Sequence, residues 1–153
     1  MVQSINLDTL RKDAVHIFHN GFACSESVIY ALRKDFELDI SDDAIAMSTG
    51  FPWGLGGVGC ICGAVAGATM CLGFLFGRRT PGDPSITNCH VLTKEFGDAM
   101  ISKFGSTCCG KLIAGYEDRN SPERKAYCTE IVEAAVTEAA HIICRELGIK
   151  EEK

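Results

Sequence analysis

Nine cysteines in 153 residues carry most of the chemistry this sequence can do. The densest spot is GCICGAVAGA, residues 59–68, where glycines lead into an apolar run and the pattern predicts that Cys60 and Cys62 fall in the opening turn of a helix. A thiolate there meets unpaired backbone N–H groups and the positive end of the helix dipole. Both lower a thiol pKa and favour a nucleophile or a soft metal ligand, which makes Cys62 the first candidate for reactive sulfur. Gly63 and Gly67, one turn apart, strip side chains from one helix face, so that another helix or an inorganic group can approach the backbone; on spacing alone, packing is the favoured reading. A second dense spot, FGSTCCGKLI, holds Cys108 and Cys109 side by side, and Cys24, Cys71, Cys89, Cys128 and Cys144 stand singly.

The N-terminal MVQSINLDTLRKDAVHIF alternates charged and apolar residues and has no basic segment followed by an apolar one, so the expected location is cytoplasmic. In that reducing compartment a static disulfide framework is a poor account of the cysteines, and an odd number cannot all pair within one chain. Burial as small hydrophobes suits Cys71 and Cys144 on apolar helix faces but strains to cover all nine. There is no CxxC, CxxCH, HExxH, GxxxxGK[ST] or GxSxG, which removes the usual support for covalent haem, zinc-ribbon, zincin, P-loop and serine-hydrolase chemistry. A balance of 15 basic and 20 acidic residues, net -5, with no basic stripe interleaved with aromatics, argues against nucleic acid as a partner. His16, His19, His90 and His141 read as surface or satisfied groups rather than ligands.

The elements that must position these thiols are helical. Asn6 caps a first helix to Phe18, with Leu7, Leu10, Ala14, Ile17 and Phe18 on one face, and Asn20-Gly21 ends it. A second helix begins at Cys24 and runs through Phe36 with Cys24 in its first turn, facing inward; Ser41 opens a short third through Met47. From Ala44 to Gly77 no residue is charged. The glycine-rich GFPWGLGGVG must be irregular, which leaves Cys60–Gly77 as the one candidate membrane span. It is at the short end of the required length and lacks N-terminal anchors, so a buried central helix is expected and stable membrane insertion is not. Ser85 to Phe104, Cys109 to Ala114, and Ser121-Pro122 to Leu147, closed by Gly148, complete the series. The length suits one core. The reading is an all-α, compact single-domain bundle of six to seven helices around a glycine-rich central helix, covering residues 1–153, with no strand pattern.

GFACSESVI around Cys24, the CGAxxG element of Cys62, Gly63, Ala64 and Gly67, FGSTCCGKLI ending its cysteine pair in Cys109, and the Cys128 segment before the last helix together resemble the C_GCAxxG_C_C family of redox-active proteins. The resemblance covers residues 10 to 140 and places the four family cysteines on Cys24, Cys62, Cys109 and Cys128, with Cys109 preferred to Cys108 by its distance from Gly105 and Leu112. The family also resembles the non-haem part of split-Soret cytochromes, for which cysteine ligation of an iron-sulfur centre has been proposed. The resemblance therefore implies an iron-sulfur cluster or related metal centre held by those four residues, for electron transfer or redox sensing. Cys62 and Cys109 are then the leading reactive cysteines, and Gly59, Gly63 and Gly67 the backbone that approaches the cofactor.

Two alternatives stand beside it. One is metal-free thiol-disulfide oxidoreductase chemistry, with Cys62 attacking and Cys60, Cys109 or Cys128 resolving. The other is a non-catalytic scaffold or transporter accessory whose cysteines only pack. Cys60 and Cys108 flank family cysteines and could replace them. The expected partners are a redox protein that the sequence does not name and, in a homodimer, a second copy of the chain. The element pattern predicts a far-ultraviolet circular dichroism spectrum dominated by helix; one dominated by β-structure would overturn the fold reading.

Overall fold

The computed structural model describes residues 1–153, of which the helices are α1 (Leu7–Phe18), α2 (Cys24–Phe36), α3 (Asp42–Met47), α4 (Pro52–Leu55), α5 (Gly63–Phe76), α6 (Ser85–Phe104), α7 (Cys109–Leu112) and α8 (Pro122–Leu147). The mainly helical reading holds. The start signals act as their chemistry requires. Asn6 Oδ1 accepts from the Thr9 N–H at 2.8 Å, and Ser121 Oγ accepts from the Arg124 N–H at 3.1 Å with Pro122 following at the first helical position. At the start of α2 no hydroxyl caps the helix, and Glu26 reaches back to accept from the Ala23 N–H at 3.0 Å.

Two features depart from the sequence reading, the start of the central helix and a pair of short strands. The central helix begins at Gly63, so Cys62 is its N-cap residue and Cys60 lies in the preceding loop rather than in a helical turn. As expected of the glycine-rich stretch, residues 52–55 form a single irregular turn, with Trp53 and Gly54 both at positive φ (63° and 64°). Beyond the helices, Ser4–Asn6 (β1) and Lys150–Glu152 (β2) pair in parallel, with Ile5 opposite Glu151. Strands of three residues are too short to show an alternating pattern.

α5 is apolar on every side, and it lies in the middle: α2 is its principal neighbour and α6 and α8 cover other faces. One contiguous core results, with Leu10, Leu32, Phe36, Leu72, Phe96, Val132, Val136 and Ile143 among its members. No helix is long and apolar enough to cross a membrane. The α2–α5 crossing depends on two glycines. A Cβ at Gly67 would run into the Ser25 backbone, 2.5 Å from its carbonyl oxygen, and one at Gly63 would collide with the Cys24 sulfur. The two backbones can therefore come closer than any other residue would allow.

At the crossing, Ser25 is fully buried and its hydroxyl donates to the Ser48 carbonyl at 2.9 Å, while the Ser27 hydroxyl donates to the Ala23 carbonyl at 2.7 Å. These bonds satisfy polar groups that burial would otherwise penalise. On the outer side, Arg145 of α8 grips Glu95 of α6 with two bonds of 2.6 and 2.8 Å. Gly67→Ala should lower the unfolding free energy by about 1–3 kcal/mol through overpacking. Gly73→Ala, in the same helix with nothing within 4 Å of an added Cβ, should raise it by about 0.5–1 kcal/mol. Urea unfolding of the two variants checks the contrast.

Candidate functional site

The close approach of α2 and α5 brings Cys24, in the first turn of one helix, next to Cys62, the N-cap of the other. α7 adds Cys109 from its first residue, and α8 adds Cys128 from its second turn. All four sulfur-bearing residues line one cavity of about 430 Å³. Its apolar wall includes Phe18, Phe22, Leu112, Ile113 and Ile131, and its charged wall is Arg124 and Lys125. No carboxylate lines it, in a chain whose net charge is -5.

Burial dominates the electrostatics. It pushes the Cys24 thiol up to about 12, with the Cys62 sulfur adding to the shift. It pushes Cys62 up to about 11, although the backbone N–H groups of Val65 and Ala64 pull the other way. The helix N-terminus therefore acts on Cys62 in the expected direction, but desolvation is the larger effect, so the thiol pKa is raised where the sequence pattern predicts a lowered one. Cys109 is also raised, first by burial and then by Cys128, against the pull of Arg119 and Arg124. The mutual influence of these thiols is the mark of groups that share one small volume.

The cations are themselves positioned. Arg119 and Arg124 stack on the Trp53 ring at 4.7 and 4.6 Å from its centroid, and the Arg124 Nε donates to the Arg119 carbonyl at 2.6 Å. Lys125 Nζ lies 3.5 Å from the Phe18 ring centroid and donates to the Phe18 carbonyl at 3.2 Å; burial, and then Arg124, hold its pKa below the ordinary lysine value. Trp53, Arg124 and Lys125 were not singled out in the sequence. A signal for the latter two existed: Arg124 and Lys125 sit in the first turns of α8, where the helix dipole disfavours positive charge.

The remaining expected residues fall as follows. Gly63 lines the cavity. Gly67 is off its wall, packed on the Ser25 backbone, and Gly59 (φ 105°) is also off it, packed on Gly110. Cys71 and Cys144 are buried in the core, and burial pushes their thiols up to about 12 and about 11. His16, His19, His90 and His141 are all exposed; His19, at the cavity rim, shares a 2.9 Å hydrogen bond with Thr129. Cys60 and Cys108 form a disulfide, with Cα atoms 4.2 Å apart and 48 residues between them in sequence. No static disulfide was expected, and the pairing was invisible because the two residues meet only through the fold. No three cysteine, histidine or carboxylate side chains stand in a geometry to share one metal ion.

Fold and site together define an all-α protein with four cysteines from four helices around one partly cationic, largely apolar cavity. The chain belongs to the family described as "Putative redox-active protein (C_GCAxxG_C_C)", which matches residues 22–148. It is also 26% identical over 138 residues to an uncharacterized protein of Archaeoglobus fulgidus, covering 82% of this chain and 87% of that one. No solved structure matches it.

The raised thiols give a pH prediction. Alkylation of Cys62 by iodoacetamide at pH 7 should be roughly 100-fold slower than that of an unshifted thiol, and should climb until about pH 11. The folded state holds these protons more tightly than the unfolded one. Their contribution to stability is therefore in place below pH 9.0 and is lost as pH rises through about 11 to 12. Peptide mapping of alkylation and urea midpoints between pH 8 and 11 check both parts.

Proposed function

We propose that Cys24, Cys62, Cys109 and Cys128 hold an iron-sulfur cluster and that the protein works in electron transfer or redox sensing. The observation that carries this reading is the presence of all four family cysteines on the wall of one cavity, although Cys24 and Cys128 are 104 positions apart. A single ion bonded to thiolates at about 2.3 Å needs its ligands close together, and these four residues are not so arranged. A cluster of several irons and sulfides separates its ligands further and needs room between them, which suits a cavity of about 430 Å³.

The donor chemistry also fits. Four thiolates would bring four negative charges into a largely apolar site, and Arg124 and Lys125 on its wall would offset part of that charge. The Val65 and Ala64 N–H groups favour negative charge on the Cys62 sulfur and would tune a bound cluster toward its reduced state. Phe18, Leu112 and Ile131 make part of the cavity wall apolar. When bound, the cluster would supply one-electron chemistry that no side chain here provides. The raised thiol pKa values mean that loading must displace protons, so uptake is favoured by higher pH. They also weaken the metal-free alternative at this site, because a thiol that stays protonated at neutral pH attacks slowly.

Protein reconstituted anaerobically with iron and sulfide should retain both after desalting and show visible charge-transfer absorption. Cys62→Ser should lose them while keeping its helical spectrum. Cys71→Ser should keep them and lose about 1–3 kcal/mol of stability from a buried hydroxyl. Reconstituted wild-type protein with no bound iron or sulfide would overturn the reading, as would Cys62→Ser retaining the full complement.

A further inference from the structure

The Cys60–Cys108 disulfide lies outside the four-cysteine set, and its surroundings differ from those of the buried thiols. Cys60 is exposed and Cys108 half-buried, so an external thiol can reach the bond. Each half is a near neighbour in sequence of a cavity cysteine: Cys60 precedes Cys62 by two positions, and Cys108 directly precedes Cys109. The two segments it joins are also held without it. The Gly110 N–H donates to the Gly59 carbonyl at 2.8 Å, and the Cys62 N–H donates to the Thr107 carbonyl at 2.7 Å.

These backbone bonds bracket the disulfide on both sides. Gly59 and Gly110 face each other so closely that a Cβ on Gly110 would lie 3.4 Å from the Gly59 Cα. A disulfide that alone joined two mobile segments would lose its geometry when cut. Here the crossing is maintained by main-chain hydrogen bonds, so the two thiols stay facing each other after reduction and the bond can re-form.

We infer that Cys60 and Cys108 form a second redox centre, a two-electron disulfide/dithiol pair that exchanges with external dithiols independently of whatever the four cavity cysteines bind. In the reductive direction a thiolate of the external dithiol attacks the exposed Cys60 sulfur. The Cys60–Cys108 bond breaks, Cys108 leaves as a thiolate and takes up a proton, and a mixed disulfide joins Cys60 to the reductant. The second thiol of the reductant then attacks its own sulfur in that mixed disulfide and releases Cys60 as a thiol. The external dithiol is oxidised to a disulfide, and the protein pair gains two electrons and two protons. The reverse sequence oxidises the pair at the expense of an external disulfide.

The test uses the full chain, equilibrated without oxygen in buffers of reduced and oxidised dithiothreitol, quenched in acid, alkylated and mapped by peptide mass. Across the series the free thiols should rise from seven to nine per chain. The two new thiols should appear together, on the Cys60 and Cys108 peptides, reversibly and with the helical spectrum unchanged. Cys60→Ser should hold the count at eight in every buffer. Two results would overturn the proposal: a Cys60–Cys108 bond that resists all non-denaturing dithiol concentrations and is cut only on unfolding, or oxidised protein in which Cys60 pairs with another cysteine. Bound iron is not read in this experiment, so its failure and failure of the cluster reading are separate.

Discussion

The close contact between α2 and α5 is the constraint from which the site follows. Gly63 and Gly67 let the α5 backbone rest against Cys24 and Ser25, and that distance sets where the first turn of α2 lies relative to the Cys62 cap. The buried hydroxyls of Ser25 and Ser27 then tie α2 to the Ser48 and Ala23 carbonyls. A larger residue at either glycine would separate the helices and move one cavity wall away from the other. Both glycines pack against α2, and Gly63 also lines the cavity.

Two opposed electrostatic effects meet in the cavity. Burial among aromatic and aliphatic side chains favours the neutral thiol at Cys24, Cys62 and Cys109, while the Val65 and Ala64 N–H groups favour negative charge on Cys62 and the guanidinium of Arg124 favours it on Cys109. Burial prevails for the bare protein. A thiolate at Cys24 or Cys62 therefore forms only against the cost of burial. Arg124 and Arg119 could not serve this role from mobile side chains; their stacking on Trp53 fixes them near Cys109.

Much of the fold was legible in the sequence because local chemistry marks helix ends. Asn6, the Ser121-Pro122 pair and Gly148 each bound a helix where the pattern placed the boundary. Features set by tertiary contact were not legible. β1 and β2 are too short to show any periodicity, and the Cys60–Cys108 pairing depends on two distant segments meeting. The direction of the Cys62 pKa shift was not legible for the same reason: the dipole of a helix can be read from sequence, whereas the depth at which its N-terminus is buried cannot. The set Cys24, Cys62, Cys109 and Cys128 was readable only from a family pattern, in which the distances to Gly105 and Leu112 favoured Cys109 over Cys108.

The four cavity cysteines come from four different helices, and no stretch of the chain carries more than one of them within a single element. In the unfolded chain they are separated by loops of 38, 47 and 19 positions, as their numbers 24, 62, 109 and 128 show. Closing such loops on a common ligand carries an entropy cost that the folded helices have already met. A ligand that engages all four must then select the native chain over every partly ordered form. By mass action it also shifts the folding equilibrium toward that native chain, so occupancy of the cavity and persistence of the fold form one linked equilibrium.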